Sequence, residues 1–132
     1  MIREYKKEDN KELLELFNIC FNKDFEDVTM NPTGKIFVYE LDNKIVGMLT
    51  LDILNDIFKS INYGYINNVC VNPMYGGKGI GDALMKYTEQ FARNNNCKYI
   101  ILTSNKKRVF AHKLYLKNNY EIVDTCVFKR FL

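Results

Sequence analysis

The stretch Val71-Asn72-Pro73-Met74-Tyr75-Gly76-Gly77-Lys78-Gly79-Ile80-Gly81 carries the strongest chemical signal in the chain. An apolar, strand-like run ends at Val71, Pro73 stops it, and four glycines fall within residues 76–81 as a helical pattern begins. Glycine admits positive φ and lets successive backbone N–H groups converge with no Cβ in the way. A helix start adds unpaired donors and a partial positive charge, so this geometry favours a phosphate. Lys78 supplies a further cation. The loop is not of the G-x-x-x-x-G-K-[ST] type, because Gly79 follows Lys78 where Ser or Thr is needed. It is not a dinucleotide G-x-G-x-x-G either, because Asp82 stands at the last position. A purely structural turn tolerates glycine, but an anion cradle is the commoner use of so many together.

One strand and one helix further on comes Ala111-His112-Lys113-Leu114-Tyr115-Leu116-Lys117-Asn118-Asn119-Tyr120. Taken alone, Tyr115 reads as a core aromatic, since it shares a helical stripe with Phe110 and Leu114. The two motifs in this order resemble motif A and the following A-x-x-x-Y-x-x-x-G-[FY] of the GNAT superfamily of acetyl-CoA-dependent N-acetyltransferases. Val46-Gly47, Ile66-Asn67-Asn68-Val69-Cys70-Val71, Cys97-Lys98-Tyr99 and Ala111 to Tyr115 are similar to a branch containing glucosamine-6-phosphate and aminoalkylphosphonate N-acetyltransferases. Element order agrees from Ile2 to Leu132. The resemblance implies an α/β (α+β) fold: a mixed, mostly antiparallel sheet of six to seven strands, splayed between the fourth and fifth and flanked by helices.

It also implies roles. Gly76, Gly77, Lys78, Gly79, Ile80 and Gly81 would grip the diphosphate of coenzyme A, and Val69, Cys70 and Val71 would pair with its amide-bearing arm. The Val71 N–H would face the thioester carbonyl, Tyr115 would protonate the leaving sulfur, and Asn105 would add a polar contact to the arm. Related small-amine enzymes often carry Glu where Asn67 stands. Asn cannot accept a proton, so Asn67 is expected to orient water or the amine. Asp52, Glu40 and His112 are then the candidate bases, although His112 by itself reads as a surface or packing residue. Gly76 occupies a position usually held by Arg or Gln, which leaves more of the grip to backbone N–H groups and Lys78. Asn119 replaces the usual Gly, and Asn tolerates the left-handed conformation needed there. The implied activity is acetyl transfer from acetyl-CoA to the primary amine of a small molecule, such as an amino sugar or phosphorylated amine. A non-catalytic acyl-CoA-binding or regulatory domain and a protein N-terminal or lysine acetyltransferase are the alternatives.

The elements that must position these residues follow from periodicity. Ile2 to Tyr5 reads as a strand. Asp9 and Glu12 have capping-box spacing before a helix whose stripe is Leu13, Leu14, Leu16, Phe17, Cys20 and Phe21. Asn22 to Gly34 is irregular, with a turn at Asn31-Pro32-Thr33-Gly34; together with Asn55 to Asn62 it is expected to shape the acceptor pocket. Lys35 to Glu40 and Lys44 to Leu54 form a hairpin around Leu41-Asp42-Asn43, and Asn62 to Val71 a further strand. Gly79 to Asn95 is helical. Tyr99 to Thr103 is β-branched and apolar enough for a central, buried strand. Lys107 to Asn118 is helical with Phe110, Ala111, Leu114 and Tyr115 inward, and Tyr120 to Val123 and Cys126 to Phe131 close the chain as strands. The order is β-α-β-β-β-α-β-α-β-β in one domain, residues 1–132.

Composition bounds the remainder. With 47% apolar and 27% charged residues the chain has an ordinary globular balance. No apolar run approaches the length of a membrane span and no signal peptide is visible, so a soluble, cytoplasmic protein without membrane contact is expected. A net charge of +3 is too mild for a nucleic-acid binder. Lys106-Lys107-Arg108 is either a solvated helix start or a contact to a small polyanion. Cys20, Cys70, Cys97 and Cys126 form no C-x-x-C pair and His112 is the lone histidine. No metal is expected, and the cysteines are expected as buried, reduced thiols. The closing segment, Val127 to Leu132, is placed to pair across a homodimer.

Overall fold

Side-chain alternation assigns each strand residue to one face of a sheet, and here both faces are covered. The computed structural model describes residues 1–26 and 32–132. In order these form β1 (Ile2–Glu4), α1 (Asn10–Phe21), β2 (Lys35–Leu41), β3 (Lys44–Asp56), β4 (Ile61–Val71), α2 (Ile80–Asn94), β5 (Cys97–Leu102) and α3 (Val109–Lys117). The strands pair in sequence order, antiparallel from β1 to β4 and parallel between β4 and β5. Residues 27–30 of the expected acceptor loop, and Asn31 of its turn, lie outside the described residues.

β3 runs buried from Ile45 to Leu49, because helices lie on both sides of it. Ile45 and Met48 join Leu13, Leu16, Val38 and Cys70 beneath α1. Val46 and Leu49 join Phe37, Leu51, Ile66, Val69 and the α2 residues Ile80, Leu84 and Met85 on the other face. A bulge opposite Tyr39 and Glu40 inserts Val46 into β3, which is why Val46 and Leu49 reach the same core despite their odd spacing. Asp42 and Asn43, at φ 51° and 61°, close the β2–β3 hairpin; positive φ at both central residues matches the twist of the flanking strands.

The start of α1 differs from the sequence expectation. Asp9 accepts the Lys6 N–H at 2.7 Å and two bonds from the Arg3 guanidinium at 2.8 and 2.9 Å. Glu12 does not complete a capping box; it accepts the Ile45 N–H of β3 at 2.9 Å, pinning α1 to the sheet. The hydrogen bonds from Arg3 are the main cause holding the Asp9 carboxyl below its usual value. Asp9 is 8% exposed, so removing it leaves a half-buried guanidinium short of partners. Asp9→Asn is expected to cost about 2–3 kcal/mol. Because the folded-state value is depressed, this stabilisation is fully present above the unfolded-state pKa of about 3.9 and disappears as pH falls through the folded value. Urea titrations should show wild type losing this increment in acid, and the variant lacking it at neutral pH.

Several expectations are corrected. Among the described residues the sheet has five strands rather than six to seven, because residues 121–132 form no strand and all twelve are exposed. β5 is therefore the edge of the chain's own sheet, not a central strand. Phe110 points outward at 86% exposure, since α3 presents Ala111, Leu114 and Tyr115 to the core instead. Of the four free thiols only Cys70 is buried; Cys126 is exposed. Among the described residues no helix is long and apolar enough to cross a membrane.

Candidate active site

The glycine loop divides its labour. Asn72 accepts the Met74 N–H at 3.0 Å and opens a single turn over Pro73–Tyr75. Gly77 and Gly79 then take φ 75° and 76°, with nothing within 4 Å of where a Cβ would sit. Backbone conformation, not space, demands glycine there. The first helical bond of α2 runs from the Ala83 N–H to the Gly79 carbonyl at 3.0 Å, which leaves the N–H groups of Ile80, Gly81 and Asp82 without intrahelical acceptors. Gly76 does not join them, since its N–H donates to the Pro73 carbonyl at 3.3 Å. Gly81 has a packing reason: a Cβ would come within 3.0 Å of Leu114, so its absence brings α2 onto α3.

These donors open into a cavity of about 460 Å³ lined by Val69, Cys70, Val71, Gly76, Gly77, Gly79, Ile80 and Gly81. All eight were expected there. Three cations stand on the same wall, Arg108, Lys113 and Lys117; the first belongs to the Lys106-Lys107-Arg108 cluster, for which contact to a small polyanion is one of the two expectations, and only Lys113 and Lys117 were missed. Lys78, by contrast, lies 5.3 Å over the Tyr75 ring and does not line the cavity. The Asp82 carboxylate is met by Lys117 at 2.6 Å and Asn118 at 2.8 Å. These bonds, Lys117 first, hold its pKa below the usual value and tie α2 to the end of α3.

A Cβ at Gly76 would stand 3.4 Å from the Pro73 oxygen, an ordinary contact, and φ there is −64°. A side chain is therefore admissible on the rim of the cavity. Gly76→Gln is expected to tighten binding of a diphosphate-bearing ligand by about fivefold, one net hydrogen bond, measured by calorimetry with the fold unchanged.

β4 is where the sheet opens. Its parallel pairing with β5 runs from Asn62 opposite Cys97 to Ile66 opposite Leu102 and stops, while β4 continues to Val71. Within that free length the β3 register advances two residues, Thr50 to Met48, as β4 advances three, Asn67 to Cys70. The extra residue makes a bulge, and Asn68 takes φ 54°, a conformation Asn adopts more readily than other side chains. Thr50 pins the bulge by donating to the Asn67 carbonyl at 3.0 Å. The Asn72 N–H donates to the Val46 carbonyl at 2.8 Å, which makes Gly47 and Val71 a non-hydrogen-bonded pair. The N–H and C=O of Val71 accordingly point away from β3, toward the open side. The Val69 carbonyl on that side accepts from Arg108 at 3.1 Å, whose guanidinium also lies 5.2 Å over the Phe21 ring. Beneath the opening, a hydrogen bond with Cys70 holds the Cys20 thiol below its usual pKa and pushes Cys70 up, with burial adding to the latter.

A second cavity, about 420 Å³, lies around the bulge and is lined by Asn67, Asn68, Thr50 and Asp52 together with Leu13, Leu14, Phe17, Phe25, Ile36 and Met48. Its floor is tight. A Cβ at Gly34 would strike the Asp52 carboxylate and come within 2.6 Å of the Leu51 oxygen. Lys35, the one cation among the described lining residues, is paired with Glu4 at 3.4 Å.

The three candidate bases separate cleanly. Asp52 lies in this second cavity. Glu40 is bonded to Arg3 at 3.0 Å beside β1. His112 Nε2 lies 2.9 Å from the Asn105 carbonyl, bracing the turn before α3. Asn105 is itself engaged in that turn, its side chain accepting the Lys107 N–H at 2.9 Å, and it does not line the first cavity. Tyr115 is 6% exposed, packed into the larger core one turn after Ala111. Burial raises its pKa, opposed by the charge of Arg108, so the phenol keeps its proton. Among the described residues no group hydrogen-bonds its hydroxyl. No cluster of three or more His, Cys, Asp or Glu is placed to hold a metal ion among them either.

A family model, acetyltransferase (GNAT) family, matches residues 2–120. An aminoalkylphosphonate N-acetyltransferase of Salmonella typhimurium is 30% identical over 102 residues, 77% of this chain and 66% of that protein. An N-acetylaspartate synthetase of Danio rerio is 29% identical over 109 residues, 80% of this chain but 37% of that protein. A glucosamine 6-phosphate N-acetyltransferase of Trypanosoma brucei brucei is 33% identical over 82 residues, 61% of this chain and 56% of that protein. The chain thus spans from about a third to two thirds of these relatives. Among solved structures, an aminoglycoside acetyltransferase from a soil metagenome bound to sisomicin superposes with TM-score 0.86 at 22% identity, over 100% of this chain and 95% of that one. A ribosomal-protein-alanine N-acetyltransferase of Brucella melitensis gives TM-score 0.86 at 17% identity, over 100% and 99%.

Proposed function

The chain belongs to the acetyltransferase (GNAT) family, and from that premise we propose that it acetylates the primary amine of a small, largely apolar molecule, with acetyl-CoA as donor. One observation carries the reading: the two cavities share β4, with Asn67 and Asn68 lining one and Val69 to Val71 the other. Donor and acceptor entering from opposite sides would meet at the bulge.

The first cavity suits coenzyme A. The free N–H groups at the start of α2 and the cations Arg108, Lys113 and Lys117 suit its phosphates, and the unpaired edge of β4 suits its amide-bearing arm. When bound, acetyl-CoA supplies an acyl group activated on sulfur. Val71 holds its N–H toward the open side, where it can stabilise a developing oxyanion; one such donor contributes about 3 kcal/mol. Tyr115 sits in the core beside the lining residues Ala111 and Leu114 and does not itself line the cavity; its hydroxyl proton would be the one given to the departing thiolate. Asp52 takes the proton that an ammonium must lose, and Asn67 orients the amine beside it. The Val69 carbonyl is held by Arg108, so strand-like pairing begins at Val71 unless the guanidinium moves.

The second cavity sets the acceptor class. Its volume fits a small molecule, and a carboxylate within apolar walls suits a cationic amine on an apolar body. The described walls hold one carboxylate, Asp52, and one cation, Lys35, whose exposed pair with Glu4 at 3.4 Å is weak, so the net charge there is no more than neutral. This favours an unphosphorylated amine over the phosphorylated acceptors named for two of the relatives. The test is thiol release from acetyl-CoA with matched panels of apolar amines, amino sugars and phosphorylated amines, after thermal stabilisation by acetyl-CoA is measured. Turnover fastest with the apolar amines is expected. Stabilisation with no turnover on any panel would leave a binding domain in place of an enzyme, and preference for the phosphorylated panel would overturn the acceptor class.

A further inference from the structure

Strand alternation decides what stands beyond the second cavity. Leu51 and Ile66, a cross-strand pair of β3 and β4, belong to the larger core beneath α2. The pairs on either side of them, Thr50–Asn67 and Asp52–Tyr65, therefore face the opposite way, and Leu54–Tyr63 continues that face. On β5, Ile100 and Leu102 pack on the larger core, which turns Tyr99 and Ile101 to the same side as the tyrosines.

The face thus reads as successive rows. Met48 and Cys70 are buried with the α1 residues Leu13 and Leu16. Thr50 and Asn67 come next and line the second cavity, and Asp52 is the outermost residue of β3 to do so. Tyr65 is in register with both Asp52 and Ile101, and its hydroxyl lies 3.3 Å from Thr103 Oγ1. The last row is Leu54, Tyr63 and Tyr99. The two tyrosines stack with ring centroids 5.1 Å apart and planes at 14°, so each ring is held upright by the other. Among the described residues this strip is open: Leu54 is 40%, Tyr99 41% and Ile101 39% exposed.

We propose that the strip is the distal subsite for the acceptor, and that the acceptor is an arylalkylamine whose nitrogen sits beside Asp52 and whose ring lies on Leu54, Tyr63 and Tyr99. The inference rests on Asp52 being the residue that receives the amine. Continuity names the occupant, because the apolar strip begins at the carboxylate where the cavity ends. Charge sets the number of nitrogens, since one carboxylate at the inner end matches one ammonium. Strand geometry sets the length. Two residues along a strand advance about 7 Å, a gap that a propyl or butyl linker spans and a single methylene does not. Ring electronics set the preference for an aryl group. Stacking covers one face of each phenol and leaves edges free; ring edges carry partial positive charge and take the face of another aromatic ring.

The test uses the full chain and a series from benzylamine to 4-phenylbutylamine, with 4-cyclohexylbutylamine and n-butylamine as comparators. Amine affinity is measured by calorimetry, and thiol release from acetyl-CoA is followed separately. Affinity is expected to rise along the series and to be about fivefold higher for 4-phenylbutylamine than for its cyclohexyl analogue, the worth of one aromatic pair. Tyr63→Leu and Tyr99→Leu keep apolar area but remove the ring. Each should cut that fivefold preference to below twofold, with the far-ultraviolet circular dichroism kept. Aryl-dependent affinity without thiol release from any amine would uphold the subsite and remove the enzymatic reading instead. Affinity that is flat along the series, or a preference that both variants retain, overturns the subsite, even where n-butylamine is turned over. So does a dimer in sedimentation that Tyr99→Leu weakens, which would give the strip to a second copy of the chain.

Discussion

Tyr115→Phe is expected to lower amine-dependent thiol release by about 10²–10⁴-fold while leaving acetyl-CoA binding unchanged. The residue serves two ends at once. Its ring belongs to the core with Leu84, Met85 and Ile80, and phenylalanine keeps that packing, so stability should move by less than about 1 kcal/mol. What is lost is a single hydroxyl with no competing partner among the described residues. Burial holds the phenol above its usual pKa, so it remains an acid across the neutral range and the alkaline limb of the rate profile should lie above that of an exposed tyrosine. The measurement is kcat against pH for both proteins, with calorimetry for acetyl-CoA. Wild-type turnover in the variant would remove Tyr115 from the chemistry and leave it as a core aromatic.

Asp52→Asn should have a comparable effect on kcat/KM, about 10²–10⁴-fold near neutral pH, with a distinctive pH dependence. An alkyl amine arrives as the ammonium below a pKa of about 10 and must lose a proton before it can attack. Asparagine preserves the contact with Gly34 and the shape of the cavity but cannot take that proton. As pH rises toward the pKa of the acceptor, more of it arrives already free and the variant should recover. Glu40→Gln, which perturbs a residue bonded to Arg3 beside β1, should leave kcat/KM within about twofold, because nothing in either cavity touches it. A flat deficit across pH in Asp52→Asn would mean that the carboxylate only orients the acceptor.

Much of this architecture was legible in the residues. The strand–glycine–helix passage from Val71 to Gly81, the hairpin at Asp42-Asn43 and the helical stripe of α1 are local patterns, and the structure keeps them. Within the glycine run, however, the reasons proved to differ from residue to residue. Gly77 and Gly79 answer to φ, Gly81 to the approach of Leu114, and Gly76 to neither. Lys78 was drawn into the anion site by proximity in sequence, yet its side chain turns onto Tyr75, while Arg108, Lys113 and Lys117 arrive from α3. Glu12 looked like a cap and became a tether to Ile45.

The sequence by itself determined that a strand ends in a glycine-lined helix start, which side chains alternate into a core, and that Tyr115 lies on the inward face of its helix. Each of these is set by neighbours within a few positions, through φ limits and side-chain period. Only the tertiary structure decided that Asp52, and not Glu40 or His112, stands beside Asn67. It alone showed that an extra residue at Asn68 bends β4 where β5 falls away, and that the last twelve residues find no place on their own sheet. Register, the end of a pairing and an unfilled strand edge are relations between segments far apart in the chain, and no local pattern of residue types encodes them.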